Sequence, residues 1–218
     1  MIKAVLFDLD GTIINSEEGI TKCVQYALSS FGIEEPDRKK LLCFIGPPLE
    51  PVFREKYGFD KDKAWQAVLK YRERFDKTGI FECELYDGVA ETIRELKEEG
   101  YVIALASSKP ETACRRILDH FSLTSYFDEI VGSTLDGSIS TKQQVLEELG
   151  RRMEHMQITK DQMCLIGDTE YDVIGADQFG IRCIGVSYGF GKREQLERAG
   201  AYCVCDSMAE VVEALQQM

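Results

Sequence analysis

Six short apolar runs recur along the chain, none with polar alternation. They are Ala4–Phe7, Val102–Ala106, Ile130-Val131, Met163–Ile166, Cys183–Val186 and Tyr202–Val204. A strand with one face in water alternates apolar and polar residues, whereas one apolar throughout is covered on both faces. Stretches of helical periodicity lie between the runs, near 88–99, 111–120, 141–151, 171–179, 192–199 and 207–216. This rhythm predicts an α/β fold, a Rossmann-like parallel sheet between layers of helices.

Residues 15–82 break the rhythm. Ile20, Val24, Ala27, Leu28 and Phe31 share one helix face, and Ala64, Val68, Tyr71 and Phe75 share another. Pro36 opens a further helix, and Gly46-Pro47-Pro48 forms a knuckle within the block. The expected organisation is a sheet domain built from 1–14 and 83–218, with an all-helical insert at 15–82. Trp65 and Tyr71 are expected in the core of that insert. His120 and His155 have no partner motif and are read as structural.

Composition narrows the function classes. The 218 residues carry 38 acidic and 26 basic side chains, a net charge of −12. That excess argues against a nucleic-acid polymer or an anionic membrane as partner, since both attract clustered Lys and Arg. No apolar run approaches a membrane span. The stretch before Asp8 is too short for a signal-peptide core, so a cytoplasmic location is expected. The eight cysteines form no C-x-x-C pair, and the two histidines lie far apart. Free thiols, most of them buried, fit this better than a zinc site or a disulfide framework.

The chemistry concentrates after the first run, in Asp8-Leu9-Asp10-Gly11-Thr12. Two carboxylates one residue apart at a strand's C-terminal end repel unless a cation or a shared proton relieves them. Mg²⁺ suits such a site, because it accepts one or two carboxylates and keeps positions for water and phosphate oxygens. An Asp-Gly turn is the plainer alternative. Asp168 follows the fourth run and Asp172 comes four residues later, as a second acidic group or as a helix cap. Ser107-Ser108-Lys109-Pro110 offers hydroxyls and amides to a phosphate, or a helix N-cap with proline in the first turn. Lys142 opens a helix, where a cation opposes the macrodipole. It is either a surface lysine or one neutralising Asp8 and a phosphate.

In this order, the four pieces resemble the haloacid dehalogenase superfamily of phosphohydrolases over essentially the whole chain. Asp8 to Thr12 resembles its first motif, Ser107 its second, Lys142 its third, and Gly167-Asp168 with Asp172 its fourth. The insert corresponds to the family's four-helix cap of the first type. Ile45–Leu49, Ser107–Pro110 and Tyr188–Gly191 are most similar to the phosphoglycolate phosphatase and cytosolic 5′-nucleotidase-like group. Position 107 is more often Thr in that group, and Ser supplies the same hydroxyl. The resemblance implies a phosphomonoester hydrolase forming an aspartyl-phosphate on Asp8, with Asp10 as acid and base. It further implies Mg²⁺ held by Asp8, the Asp10 carbonyl and Asp168, with Asp172 beside them, and phosphoryl oxygens held by Ser107 and Lys142. Gly11, Thr12, Ser108 and Gly46 are implied in substrate binding, and the cap is implied to close over the site. The implied substrate is a small phosphate ester, phosphoglycolate-like or a nucleoside 5′-monophosphate. A phosphomutase or a pyrophosphatase on the same scaffold is the alternative; a dehalogenase needs neither Asp10 nor a metal, and a non-catalytic module needs none of these groups. Oligomeric state stays open between a monomer and a weak dimer.

Overall fold

The computed structural model describes all 218 residues. They divide into two compact units, residues 1–14 with 85–218, and residues 15–84. In chain order the strands are β1 (Ala4–Phe7), β2 (Ile14–Asn15), β3 (Glu84–Leu85), β4 (Val102–Pro110), β5 (Glu129–Ser133), β6 (Met163–Gly167), β7 (Arg182–Val186) and β8 (Cys203–Cys205). The α-helices are α1 (Glu17–Ser29), α2 (Leu49–Tyr57), α3 (Lys61–Phe75), α4 (Val89–Glu98), α5 (Glu111–His120), α6 (Lys142–Met153), α7 (Glu170–Phe179), α8 (Arg193–Ala199) and α9 (Met208–Gln216).

The first unit is the α/β Rossmann-like fold. Its six strands run parallel in the order β5-β4-β1-β6-β7-β8. Ala4, Leu6, Ala104, Ala106, Met163 and Leu165 face a core built with Val145, Leu146 and Leu149 of α6 and Val173 and Ala176 of α7. The alternate residues Val5, Phe7, Ile103, Leu105, Cys164 and Ile166 are equally buried. Both faces are therefore covered, which is why the runs carry no alternation.

Strand order also fixes where a ligand can enter. From β1 the chain steps to β4 and β5 on one side, and β6, β7 and β8 lie on the other. The direction of winding reverses at β1, and ligands in such sheets bind beyond the strand C-termini at that reversal. Phe7 is level with Leu105 of β4 and Ile166 of β6. Asp8 lies one residue beyond that level, and Ser107 and Asp168 lie two beyond it. β4 is longer than its apolar run, since a register shift lets it continue through Ser107, Ser108 and Lys109 to Pro110. Pro110 consequently occupies the N-cap of α5, with no side-chain cap, and neither serine caps that helix.

The second unit packs α1, α2 and α3 around Val24, Leu28, Phe44, Phe53, Ala64, Val68 and Tyr71. Its fourth helical segment, Arg38–Phe44, is a 3₁₀ helix rather than the α-helix expected after Pro36. Only seven residues separate its cap, Asp37, from the extended Ile45. Trp65 also departs from expectation. It is 47% exposed, with the Arg72 guanidinium over its ring, while Tyr71 is buried as expected. Trp65 belongs to the solvent side of α3, since it falls outside the face set by Ala64, Val68, Tyr71 and Phe75. Cys43 is likewise exposed, whereas Cys23, Cys114, Cys164, Cys183 and Cys205 are buried. No helix is long and apolar enough to cross a membrane.

Candidate active site

The backbone after β1 turns sharply so that both acids leave the same strand end. Gly11 sits at φ +85°, and Gly11 N–H donates to the Ile14 carbonyl at 2.8 Å. A Cβ on Gly11 would stand 2.0 Å from Asp168 Oδ2, so only glycine lets this turn and Asp168 approach. Asp8 N–H donates to the Ile166 carbonyl at 2.9 Å, which ties the nascent site to β6.

Lys142 is no surface lysine. It is the first residue of α6, held by a Thr141–Gln144 capping box, and its side chain is 4% exposed. Its ammonium donates to Asp8 Oδ1 at 2.6 Å, to the Ala106 carbonyl at 2.7 Å, and meets Asp172 Oδ1 at 2.7 Å. Burying an ammonium costs several kcal/mol unless charge and hydrogen bonds compensate it, and here three acceptors do so. Asp172 serves both of the roles open to it. Its Oδ2 accepts from Thr169 N–H at 3.0 Å and Thr169 Oγ1 at 2.8 Å, forming the α7 capping box, while Oδ1 meets Lys142.

Asp8, Asp168 and Asp172 each place a carboxylate oxygen within 4.8 Å of the others. Asp168 is fully buried; its Oδ2 accepts from Phe190 N–H at 2.7 Å, and its Oδ1 has no partner in the protein. Lys142 pairs directly with Asp8 and Asp172, and no cationic side chain pairs with Asp168, so the cluster has more acidic than basic groups. A divalent cation matches both that excess and the unpartnered buried oxygen, so this donor set fits Mg²⁺. Asp172, with both oxygens engaged, is the least free of the three to ligate.

Burial, more than the neighbouring charges, governs the titration of the cluster. Burial pushes Asp8 from the ordinary 3.8 up to about 7, against the pull of Lys142 and with help from Asp172 and Asp10. Burial, then Asp172 and Asp8, raises Asp168 well above 3.8. Burial alone would lower Lys142, but Asp172 and Asp8 overcome it and raise the lysine above its ordinary value. Between about pH 4 and 7 the folded cluster therefore holds protons that the unfolded chain has released. Its contribution to stability falls as pH rises through that window, unless a cation fixes the carboxylates in their charged form. Mg²⁺ is expected to raise Tm more at about pH 8 than at about pH 5, and thermal unfolding in the two buffers measures the difference. Equal shifts at both values would remove this cluster as the site.

The remaining residues fall into two groups. Ser107 is buried, and its Oγ accepts from Lys109 N–H at 3.3 Å; Ser108 is half-buried on the same bulge. Thr12 is buried with its Oγ1 unpartnered, and its carbonyl accepts from Tyr188 O–H at 3.0 Å. Asp10 lies outside the carboxylate cluster and pairs with Lys109 Nζ at 2.7 Å. Gly46 belongs to the helical unit, at φ +101°. Arg74, one of the cations available there, is engaged by Glu82 at 2.6 and 3.0 Å, and Arg54 and Glu50 are 3.5 Å apart.

Sequence reasoning missed the support for Asp168. Gly189 and Gly191 press on it, and a Cβ on Gly189 would stand 2.3 Å from the Gly11 carbonyl oxygen and 2.4 Å from Asp168 Cβ. The Gly-x-Gly spacing was the available signal, though only the strand order brings that loop to Asp168. Gly189→Ala is expected to cost about 1–3 kcal/mol through overpacking and to raise the Mg²⁺ concentration needed for half-maximal effect. A lowered Tm with unchanged Mg²⁺ response would show that the loop supports only the fold.

A parallel sheet reversing at β1 thus carries buried acids and a lysine at one rim, an arrangement suited to holding a cation and an anionic group together. The family model of haloacid dehalogenase-like hydrolases matches residues 5–186. A 5′-nucleotidase of Pseudomonas aeruginosa is 40% identical over 97% of this chain and 95% of its own length. A pyrophosphatase of Bacillus cereus is 30% identical over 100% of this chain and 98% of its own. The crystal structure of a predicted phosphatase from Clostridium acetobutylicum superposes with a TM-score of 0.93, at 44% identity and full coverage of both chains. The chain belongs to the haloacid dehalogenase-like hydrolase family.

Proposed function

We propose that the protein is a Mg²⁺-dependent phosphomonoester hydrolase acting on a small phosphorylated metabolite, with a nucleoside 5′-monophosphate as the preferred class. The observation that carries this reading is the Asp8 carboxylate, buried at the sheet's reversal point with Oδ1 on Lys142 and Oδ2 outside that pair. Asp8 Oδ2 attacks phosphorus in line, forming an acyl phosphate as the ester P–O bond breaks. Asp10 gives its proton to the departing oxygen, then takes one from the water that attacks the acyl phosphate and releases inorganic phosphate. Ser107 and Lys142 hold the phosphoryl oxygens. Mg²⁺, held by Asp8, Asp168 and the Asp10 carbonyl, supplies charge neutralisation at those oxygens when bound. The sheet unit carries this chemistry, and the helical segment 15–82 is assigned the family's cap and the choice among esters.

The 5′-nucleotidase relative supports the substrate class, since it matches along nearly the whole chain. Phosphoglycolate is the second ester to test. The Bacillus cereus relative favours pyrophosphate as a further candidate. Phosphate release from each, with Mg²⁺ and after exhaustive chelation, tests the proposal. Hydrolysis of nucleoside 5′-monophosphates that stops on chelation is expected; undiminished hydrolysis without metal would overturn the metal assignment.

A further inference from the structure

The geometry points to Lys109 as the positioning residue of Asp10, holding the acid–base carboxyl in place rather than binding phosphate itself. This rests on the role proposed above for Asp10. The Asp10 side chain pairs with Lys109 Nζ at 2.7 Å, with side-chain exposures of 11% and 8%. Ninety-nine residues separate the two in sequence, so only the pairing of β1 with β4 brings them together.

The lysine is delivered from a fixed backbone. Lys109 lies in the bulge that carries β4 past its apolar run. Its N–H donates to Ser107 Oγ at 3.3 Å, and its carbonyl accepts from the Cys114 thiol at 3.5 Å. Gly132 of β5 closes against it, since a Cβ there would stand 2.5 Å from the Lys109 carbonyl oxygen. The Asp10 backbone is equally held, because Ile13 and Ile14 N–H both donate to the Leu9 carbonyl at 2.9 and 3.0 Å. With both backbones fixed, the ion pair sets the rotamer of Asp10. Lys142 fills the corresponding place for Asp8, so the two lysines divide the two acids between them.

A carboxyl displaced by about 1 Å can lose on the order of 10²-fold in rate. The loss should depend on the leaving group, because protonation matters for an alkoxide and little for p-nitrophenolate. The test uses Lys109→Met, Asp10→Asn and the double variant, comparing phosphorylation rates for an alkyl phosphate and p-nitrophenyl phosphate. Lys109→Met is expected to slow the alkyl ester by about 10- to 100-fold and the aryl ester by severalfold less. In the Asp10→Asn background the same substitution should change the alkyl rate by no more than about twofold, since its effect runs through Asp10. Lys109→Arg, which keeps a cationic donor, should recover most of the alkyl rate; with Lys109→Gln it carries the same comparison if the Met variant does not fold.

Equal slowing of both esters, or a full loss persisting in the Asp10→Asn background, would overturn the inference and make Lys109 a phosphate ligand or a structural residue. If Asp10→Asn alone shows no leaving-group dependence, the acid–base role of Asp10 fails and this inference fails with it. Leaving-group dependence in Asp10→Asn but not in Lys109→Met overturns the positioning role alone.

Discussion

Asp8→Asn is expected to lower turnover by about 10⁶-fold, the order lost when a covalent nucleophile is removed. An amide oxygen is a far weaker nucleophile than a carboxylate, and neither of the other two clustered acids is free to replace it. Asp168 is immobilised by Phe190 and pressed by Gly11, Gly189 and Gly191, while Asp172 is engaged by Lys142 and Thr169. The fold should not suffer. Asp8 is one of three clustered carboxylates, two of them on Lys142, and its carboxyl is already pushed up to about 7 by burial. Removing its charge relieves repulsion, and Lys142 keeps the Ala106 carbonyl and Asp172. The metal-free variant should melt at or above the wild-type temperature near neutral pH. Steady-state kinetics and thermal unfolding check both halves. Near-normal turnover would end the covalent mechanism, and a large drop in Tm would show that Asp8 holds the fold.

Asp10→Asn is expected to lower kcat for an alkyl phosphate by about 10²–10⁴-fold, the usual contribution of general acid–base catalysis. The substitution keeps the main-chain carbonyl assigned to the metal and removes only the proton shuttle. With p-nitrophenyl phosphate, formation of the acyl phosphate should be far less affected, because that leaving group departs without protonation. Hydrolysis of the acyl phosphate still needs a base, so the second step becomes limiting. Unchanged alkyl turnover would assign Asp10 to structure and remove the positioning role of Lys109 with it.

The sheet was legible because its strands are covered on both faces. Ala4–Phe7 and Met163–Ile166 read as apolar runs, and their pairing carries Asp8 and Asp168 to one edge. β4 was legible only in part, since Ser107, Ser108 and Lys109 continue as strand through a bulge that depends on pairing with β5. That is why the sequence suggested a serine cap where Pro110 stands. Lys142 was ambiguous for a related reason. Its position at a helix start was readable, but its burial depends on α6 meeting Ala106 of β4 and Asp172 of α7. Trp65 misleads because an aromatic at near-helical spacing adjoins the buried face of α3 without sharing it. The Asp10–Lys109 pair and the Phe190 amide left no local trace, since each joins segments distant in sequence.

The central claim is a phosphoryl group carried on Asp8. Rapid acid quench of Asp10→Asn after mixing with p-nitrophenyl phosphate and Mg²⁺, followed by peptide mass spectrometry, tests it most directly. The expected result is a mass gain of one phosphoryl group on the peptide containing Asp8, building up within the first turnover and absent when Asp8→Asn is added. Release of p-nitrophenol with no phosphoryl group on that peptide at any quench time, or with the group on another residue, would contradict it.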